Sequence, residues 1–243
     1  MTAKPHPNEA VLARARCYPY PAPERSYTYR QGRADPFEPD LRDGRTPVLA
    51  FASNRSPLQL DRKYGHAPET VIPVEQAVLE DFDVVYAASL TRYGAVPAML
   101  QHAPGAAVEI AVTWLDEDEL RHMHSTELGS ANYHFASLHD VRLNLDTGEA
   151  EDTVFVYVGG RGHYAHDGEA QALAAVRCRN RCFPTATTRE MLALYHQVLD
   201  IQEPLETFIH KVAHDNAYRL ACAEQLSTNA IPFSYAYTLI DID

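Results

Sequence analysis

Val48-Leu49-Ala50-Phe51-Ala52-Ser53-Asn54-Arg55-Ser56-Pro57-Leu58-Gln59-Leu60 is the stretch whose reading decides the fold. It opens as a short apolar run of the kind buried strands show, and the run stops at Ser53-Asn54. Ser56 then suits a helix N-cap, and Pro57 suits the first helical position, where a missing N–H costs nothing. Backbone N–H groups at such a strand-to-helix junction have no partner inside the helix, which makes it a natural seat for a carboxylate or phosphate. An ordinary capped helix accounts for the same residues.

Outward from this junction the pattern is mostly strand. Runs at Asp83–Leu90, Val96–Leu100, Ala107–Leu115, Asp140–Leu145 and Thr153–Val158 read as further strands. Val108, Ile110, Val112 and Trp114 alternate with Glu109 and Thr113, and Val141, Leu143 and Leu145 alternate with Asp140, Arg142 and Asn144. Asp146-Thr147-Gly148-Glu149 is read as the turn of a hairpin into Val154, Val156 and Val158. Many strands with few helices between them imply an α+β fold built on a small mixed or antiparallel β-barrel of about five to seven strands with flanking helices. Residues 1–45, poor in aliphatics and rich in Pro, Tyr and Arg, read as an extended N-terminal arm, and residues 46–183 as the barrel domain. Residues 184–243 read as a helical extension: Thr187 and Glu190 form a capping box, and a second amphipathic pattern runs from Leu205 to Leu220. These two helices are expected to pack on the barrel or at a subunit interface, which leaves a homodimer open.

Composition narrows the function. Of 243 residues, 46% are hydrophobic and 22% charged, the balance of a globular chain. No apolar run approaches the ~20 residues of a membrane helix, and Met1 to Glu9 lack the apolar core of a secretory signal, so a soluble, cytoplasmic protein with no membrane partner is expected. A net charge of −12 argues against nucleic acid as a partner. Four cysteines are too few for a disulfide scaffold; Cys178 and Cys182, four apart in what reads as a helical turn, are taken as free buried thiols, like Cys17 and Cys222. Twelve histidines raise the question of a metal, but His122/His124, His163/His166 and His210/His214 offer no set of three ligands at a diagnostic spacing, so no metal is expected. The scarcity of lysine, confined to Lys4, Lys63 and Lys211, reads as coding bias.

The second informative stretch is Trp114-Leu115-Asp116-Glu117-Asp118-Glu119-Leu120-Arg121-His122-Met123-His124-Ser125-Thr126-Glu127. Asp116 and Glu119 are spaced as a capping box, and Leu115 and Leu120 as a hydrophobic staple. From there Leu120, Met123, His124 and Glu127 share one stripe, so Glu127 is expected on the apolar face, where a carboxylate is paired, protonated or functional. A raised pKa there would suit general acid–base work near neutral pH. A helix ending just before Glu127, with the carboxylate in water, is the alternative.

Together these segments resemble the gamma-glutamylcyclotransferase-like family. Val48 to Leu60 is similar to its Tyr-Gly-Ser-Asn strand and loop. Ala95 to Leu100 with Pro104-Gly105 looks like its inner strand and following turn, and Val108 to Leu115 like its hydrophobic-Trp strand. Thr126-Glu127-Leu128-Gly129-Ser130-Ala131-Asn132-Tyr133 matches its glutamate segment, Phe155 to Val158 its last barrel strand, and Asp167 to Leu173 its closing helix. The resemblance covers residues 46–180. This chain has Phe51-Ala52 where the family has Tyr-Gly, Arg55 where it has an apolar residue, and Leu128 after the glutamate.

The resemblance implies a cofactor-free transferase or lyase reaction. A gamma-glutamyl amine or peptide cyclises to 5-oxoproline and releases a free amine, with Glu127 as general acid and base. Phe51, Ala52, Ser53, Asn54, Arg55 and Ser56 would hold the substrate, and Tyr133 and Tyr157 would line its pocket. Arg92, Tyr93 and His163, with Arg55, are expected around the departing amine. A non-catalytic small-molecule-binding or regulatory protein on the same fold is the alternative.

Overall fold

Val71 to Tyr86 and Ala98 to Leu115 are rich in β-branched and aromatic residues, and in the computed structural model they form two long strands that pair antiparallel over most of their length. The structure describes residues 7–128 and 133–242. In chain order the helices are α1 (Pro7–Arg16), α2 (Pro57–Tyr64), α3 (Glu117–Glu127), α4 (Thr188–Val198), α5 (Leu205–His214) and α6 (Asn216–Ser227). The strands begin with β1 (Tyr27–Arg30), β2 (Arg33–Pro36), β3 (Thr46–Ala50), the long β4 (Val71–Tyr86) and β5 (Ala98–Leu115), β6 (Tyr133–Leu138), β7 (Leu143–Leu145), β8 (Ala150–Glu151) and β9 (Val154–Gly159). Two-residue strands follow as β10 (Ala165–His166), β11 (Glu169–Ala170), β12 (Ala172–Leu173), β13 (Cys178–Arg179), β14 (Thr185–Ala186) and β15 (Thr238–Leu239).

The β4–β5 ribbon is the spine. Along its free edge β4 pairs in turn with β1, β7 and β12, while β5 pairs with β13 and then β3. Beyond β3 the sheet continues through β9, parallel to it, then β6 and β15. The sheet is therefore mixed and the fold α+β, but the path runs from β14 to β15 without closing, so the barrel expected from the sequence is an open sheet. β4 is long enough to carry three successive partners on one edge.

Four other expectations are corrected. Pro104-Gly105 is not a turn. It lies in an irregularity of the ladder where residues 103–106 of β5 stand opposite Asp81 alone (φ 64°), whose Oδ1 accepts the Gly105 N–H at 2.8 Å. β7 pairs with β4 and β8, not with β9, so the Asp146 turn closes a much smaller hairpin. Asp167 to Leu173 forms β11 and β12 rather than a helix, and Cys178 lies in β13 rather than a helical turn. All four cysteines are free, with only Cys222 buried.

From Pro7 onward, the N-terminal segment expected as an extended arm is built into the fold. α1 contacts α4 and α5, Tyr18 and Tyr20 join the core, and β1 adds to β4 with Tyr27, Thr28 and Tyr29 buried. Low aliphatic content concealed this because tyrosines supply the buried area. Two main clusters form the core. One packs Leu49, Val108, Ile110, Val112 and Val156 with the inner faces of α4 to α6. The other packs Val48, Ala50 and Leu115 with Leu60 and Tyr64 of α2 and Met123 of α3. The capping boxes at Asp116/Glu119 and Thr187/Glu190 are both formed. The second C-terminal pattern is two helices, because Asp215 is extended and caps α6 by accepting the Tyr218 N–H.

Candidate functional site

β3 ends at Ala50, and the chain turns through a short 3-10 helix, Ser53–Arg55, into α2. Arg55 N–H donates to the Ala52 carbonyl at 3.4 Å and Ser56 N–H to that of Ser53 at 3.0 Å, leaving the amides of Ser53 and Asn54 at the open start of the turn. Ala52, where the resembled family has glycine, has φ −136° and ψ −116°, outside both the helical and the extended regions. Ser56 is the N-cap residue by position, yet its hydroxyl donates to the Pro21 carbonyl at 2.7 Å instead of capping α2.

α3 delivers Glu127 to this turn. Its Oε1 accepts from Asn54 Nδ2 at 3.0 Å and from Lys63 Nζ of α2. Only 6% of the Lys63 side chain and 18% of that of Glu127 are exposed. α2 and α3 are tied twice more: Tyr64 OH donates to the Glu119 carbonyl at 2.7 Å, and the His122 ring to the Lys63 carbonyl at 2.8 Å. Burial pushes the Glu127 carboxyl up, but the Lys63 charge and hydrogen bond, the Asn54 bond and the more distant Arg92 outweigh it and hold the group below the usual glutamate value. The raised pKa expected from the sequence is thus overturned, because the stripe that buries Glu127 also buries a lysine beside it. Burial lowers the Lys63 pKa, with Glu127 opposing.

Glu127 stands where two cavities meet. The inner one is a recess of about 40 Å³, lined by Phe51, Ala52, Ser53, Asn54, Tyr133 and Tyr157 together with Tyr18. That volume holds a few water-sized groups. The outer one is a cleft of about 670 Å³ walled by α2, the 89–97 loop, the end of α3 and α6. Tyr133 OH donates to the Ala98 carbonyl at 2.9 Å, while the Ala98 N–H donates to Tyr18 OH at 3.0 Å. Burial raises both phenols well above their usual range, so both stay protonated. Tyr157 OH lies 2.9 Å from His124 Nδ1, a histidine whose pKa is lowered by burial.

Of the residues singled out from sequence, Phe51, Ala52, Ser53, Asn54, Glu127, Tyr133 and Tyr157 meet at the recess, and Arg92 and Tyr93 line the outer cleft. Arg55 does not: its Nη1 donates to the Glu109 carbonyl at 2.9 Å, and it lines a separate groove of about 740 Å³. Ser56 is buried against Pro21, and His163 lies within hydrogen-bond reach of Gln101. Gly129 to Asn132, part of the glutamate segment, lie outside the described residues. Among the described residues no group of three His, Cys, Asp or Glu side chains is placed to hold a metal. No helix among them is long and apolar enough to cross a membrane.

Sequence reasoning missed Lys63, Tyr18 and Arg219. Lys63 carried a signal: it lies three residues after Leu60 on the face of α2 that is buried, in a chain with three lysines.

No family model and no curated protein matches the chain. It is similar to a solved gamma-glutamyl cyclotransferase structure, with 15% identity and a TM-score of 0.36 over 78% of this chain and 90% of that one. YkqA from Bacillus subtilis is similar at 12% identity and a TM-score of 0.39, over 80% of this chain and 58% of YkqA. An uncharacterized protein from Homo sapiens is similar at 14% identity and a TM-score of 0.35, over 88% of this chain and 92% of that one.

Proposed function

We propose that this chain cyclises a gamma-glutamyl amine or peptide to 5-oxoproline and a free amine, with Glu127 moving the proton. The observation that carries this reading is the carboxylate of Glu127, held by Asn54 and Lys63 at the mouth of a small recess whose other wall is the Ala52–Asn54 turn. The glutamyl part would reach from the adjoining cleft into the recess, its carboxylate entering the recess to face the turn amides. Its α-ammonium would lie beside Glu127 and near Lys63, whose charge lowers the ammonium pKa. Glu127 takes that proton, and the freed amine nitrogen bonds to the γ-carbonyl carbon. The bond from that carbon to the departing nitrogen then breaks as Glu127 returns the proton to that nitrogen. The second proton, which the ring nitrogen sheds to become the lactam N–H, passes by way of Glu127 to the released amine, which leaves as an ammonium. A carboxyl held below its usual pKa is a strong donor once protonated, which suits the second transfer.

The test is 5-oxoproline release from a panel of gamma-glutamyl compounds by the natural chain and Glu127→Gln. Release that falls about 10²–10⁴-fold in the variant is expected for loss of an acid–base group. Equal release by both overturns the role of Glu127, and no release from any compound overturns the reaction. One observation favours a second reading, a non-catalytic binding protein: Lys63 already occupies the carboxylate. Binding of the panel compounds without turnover would decide for it.

A further inference from the structure

The outer cleft has a charge character that the cyclisation chemistry does not require. Three cations line it, Lys63, Arg92 and Arg219, against a single carboxylate, Glu127, in a chain of net charge −12. Glu127 takes up the charge of Lys63. The other two are left over. Among the described residues Arg219, on α6, donates to uncharged acceptors, the Val212 carbonyl at 2.8 Å and the Asn216 side-chain oxygen. Arg92 forms no ion pair among the described residues and sits at the tip of a turn fixed in place. Gly94 N–H donates to the Thr91 carbonyl at 3.0 Å, Thr91 N–H to that of Ala95 at 2.8 Å, and Ala95 N–H to Thr91 Oγ1 at 2.9 Å.

Two guanidiniums facing one space whose lining carboxylate, Glu127, is already paired with Lys63 repel each other, and the arrangement is relieved by an anion. That repulsion registers on Arg219, whose pKa is lowered first by burial and then by Arg92, with Asp215 opposing. Both arginines lie beyond Glu127 as seen from the recess, on the side where the departing amine would leave.

Resting on the function proposed above, we infer that Arg92 and Arg219 are specificity-determining residues that select a departing amine bearing an anionic group, a carboxylate or a phosphate, over neutral or cationic amines. Arg92 lies within the segment of family resemblance and Arg219 comes from the C-terminal helices, so selection of the amine is assigned jointly to the two parts of the chain.

The test compares γ-glutamylglycine, γ-glutamylglycinamide and γ-glutamylputrescine, which present an anionic, a neutral and a cationic departing amine of known chemistry. The natural chain, Arg92→Ala, Arg219→Ala, the double variant and Arg92→Lys are each assayed. The expected result is a kcat/KM ratio of glycine over glycinamide substrate of about tenfold or more in the natural chain, carried by KM. It should fall to near one in the double variant and be partly restored by Arg92→Lys. Equal use of the three compounds overturns the inference while leaving the reaction intact. So does an equal loss on all three in the variants, which would assign the arginines to the glutamyl half or to the fold. If no compound is turned over, calorimetric binding of the same three compounds still decides. Tighter binding of γ-glutamylglycine that is lost in the double variant upholds the inference without the reaction, and unselective or absent binding overturns it.

Discussion

Lys63 Nζ and Glu127 Oε1 form a buried ion pair that joins α2 to α3, and each partner changes what the other can do. The carboxylate stays ionised because a cation sits beside it, and the ammonium is tolerated away from water because a carboxylate receives it. The pair lies at the junction of recess and cleft, so it is both a structural tie and the chemical centre of the site.

Replacing Lys63 by Met removes the cation and leaves burial as the largest influence on Glu127. The carboxyl is now below its usual value, so stabilisation by its ionised form is present above the unfolded pKa and lost as pH falls through the folded one. In Lys63→Met the folded pKa rises, and the acid limb of the kcat/KM profile moves to higher pH. A profile that does not move shows that Lys63 does not set the Glu127 pKa.

The clasp on Ala98 is testable by stability. Tyr133→Phe leaves the Ala98 carbonyl without its donor, and Tyr18→Phe leaves the Ala98 N–H without its acceptor. Ala98 is 1% exposed, so each change should cost about 1–3 kcal/mol. In a chain of this length that is a fall of about 2–4 °C in Tm per kcal/mol. Thermal melts that coincide with the natural chain would show that water replaces the phenols.

Glu75 is fully buried and carries the base of the sheet. Its carboxylate accepts from Arg42 at 3.0 Å, Trp114 Nε1 at 3.1 Å and Thr147 Oγ1 at 2.7 Å. Glu75→Ala strips three donors at once and should cost about 3–5 kcal/mol in urea unfolding. Glu75→Gln keeps an acceptor for Trp114 and should cost less.

Gly94 has φ +82°, and a Cβ there would lie 2.9 Å from Ile209 Cγ2 and 3.0 Å from the Ile209 carbonyl oxygen. Gly94→Ala is therefore strained in backbone and in space, and should lose more than about 1 kcal/mol. Because the same turn carries Arg92, the variant should also raise KM for the best substrate; a change in melting temperature alone would separate the turn from the cleft.

What could be read in the sequence followed local chemistry. The capping boxes at Asp116 and Thr187, the strand-to-helix junction after Ala50 and the inward course of Glu127 are set by residues within a few positions of one another, and they formed as spaced. The partners that arrive from far along the chain were not legible. Lys63 meets Glu127 across 64 positions, and Tyr18 meets Ala98 across 80. The length of β4 was hidden too: Pro73, Glu75 and Glu80 interrupt its apolar pattern, and only the pairing with β1, the Arg42 pair and the bulge at Asp81 account for them. Arg55 was assigned to the site by its position after Asn54, whereas the direction of its side chain is decided by the Glu109 carbonyl on β5.

The two hydrogen bonds on Ala98 reach beyond stability. One comes from Tyr18, just after α1, and the other from Tyr133 at the start of β6, while α6 from the far end of the chain walls the same cleft. Both extremities of the polypeptide thus close around a chamber whose floor is central in sequence. A domain cut from Thr46 to the end of β14 would keep the β4–β5 ribbon and the glutamate yet lose β1, β2, β15 and two sides of the room that the glutamate stands in. Any segment excised to carry this cleft would have to keep Tyr18 and α6 together with the strands.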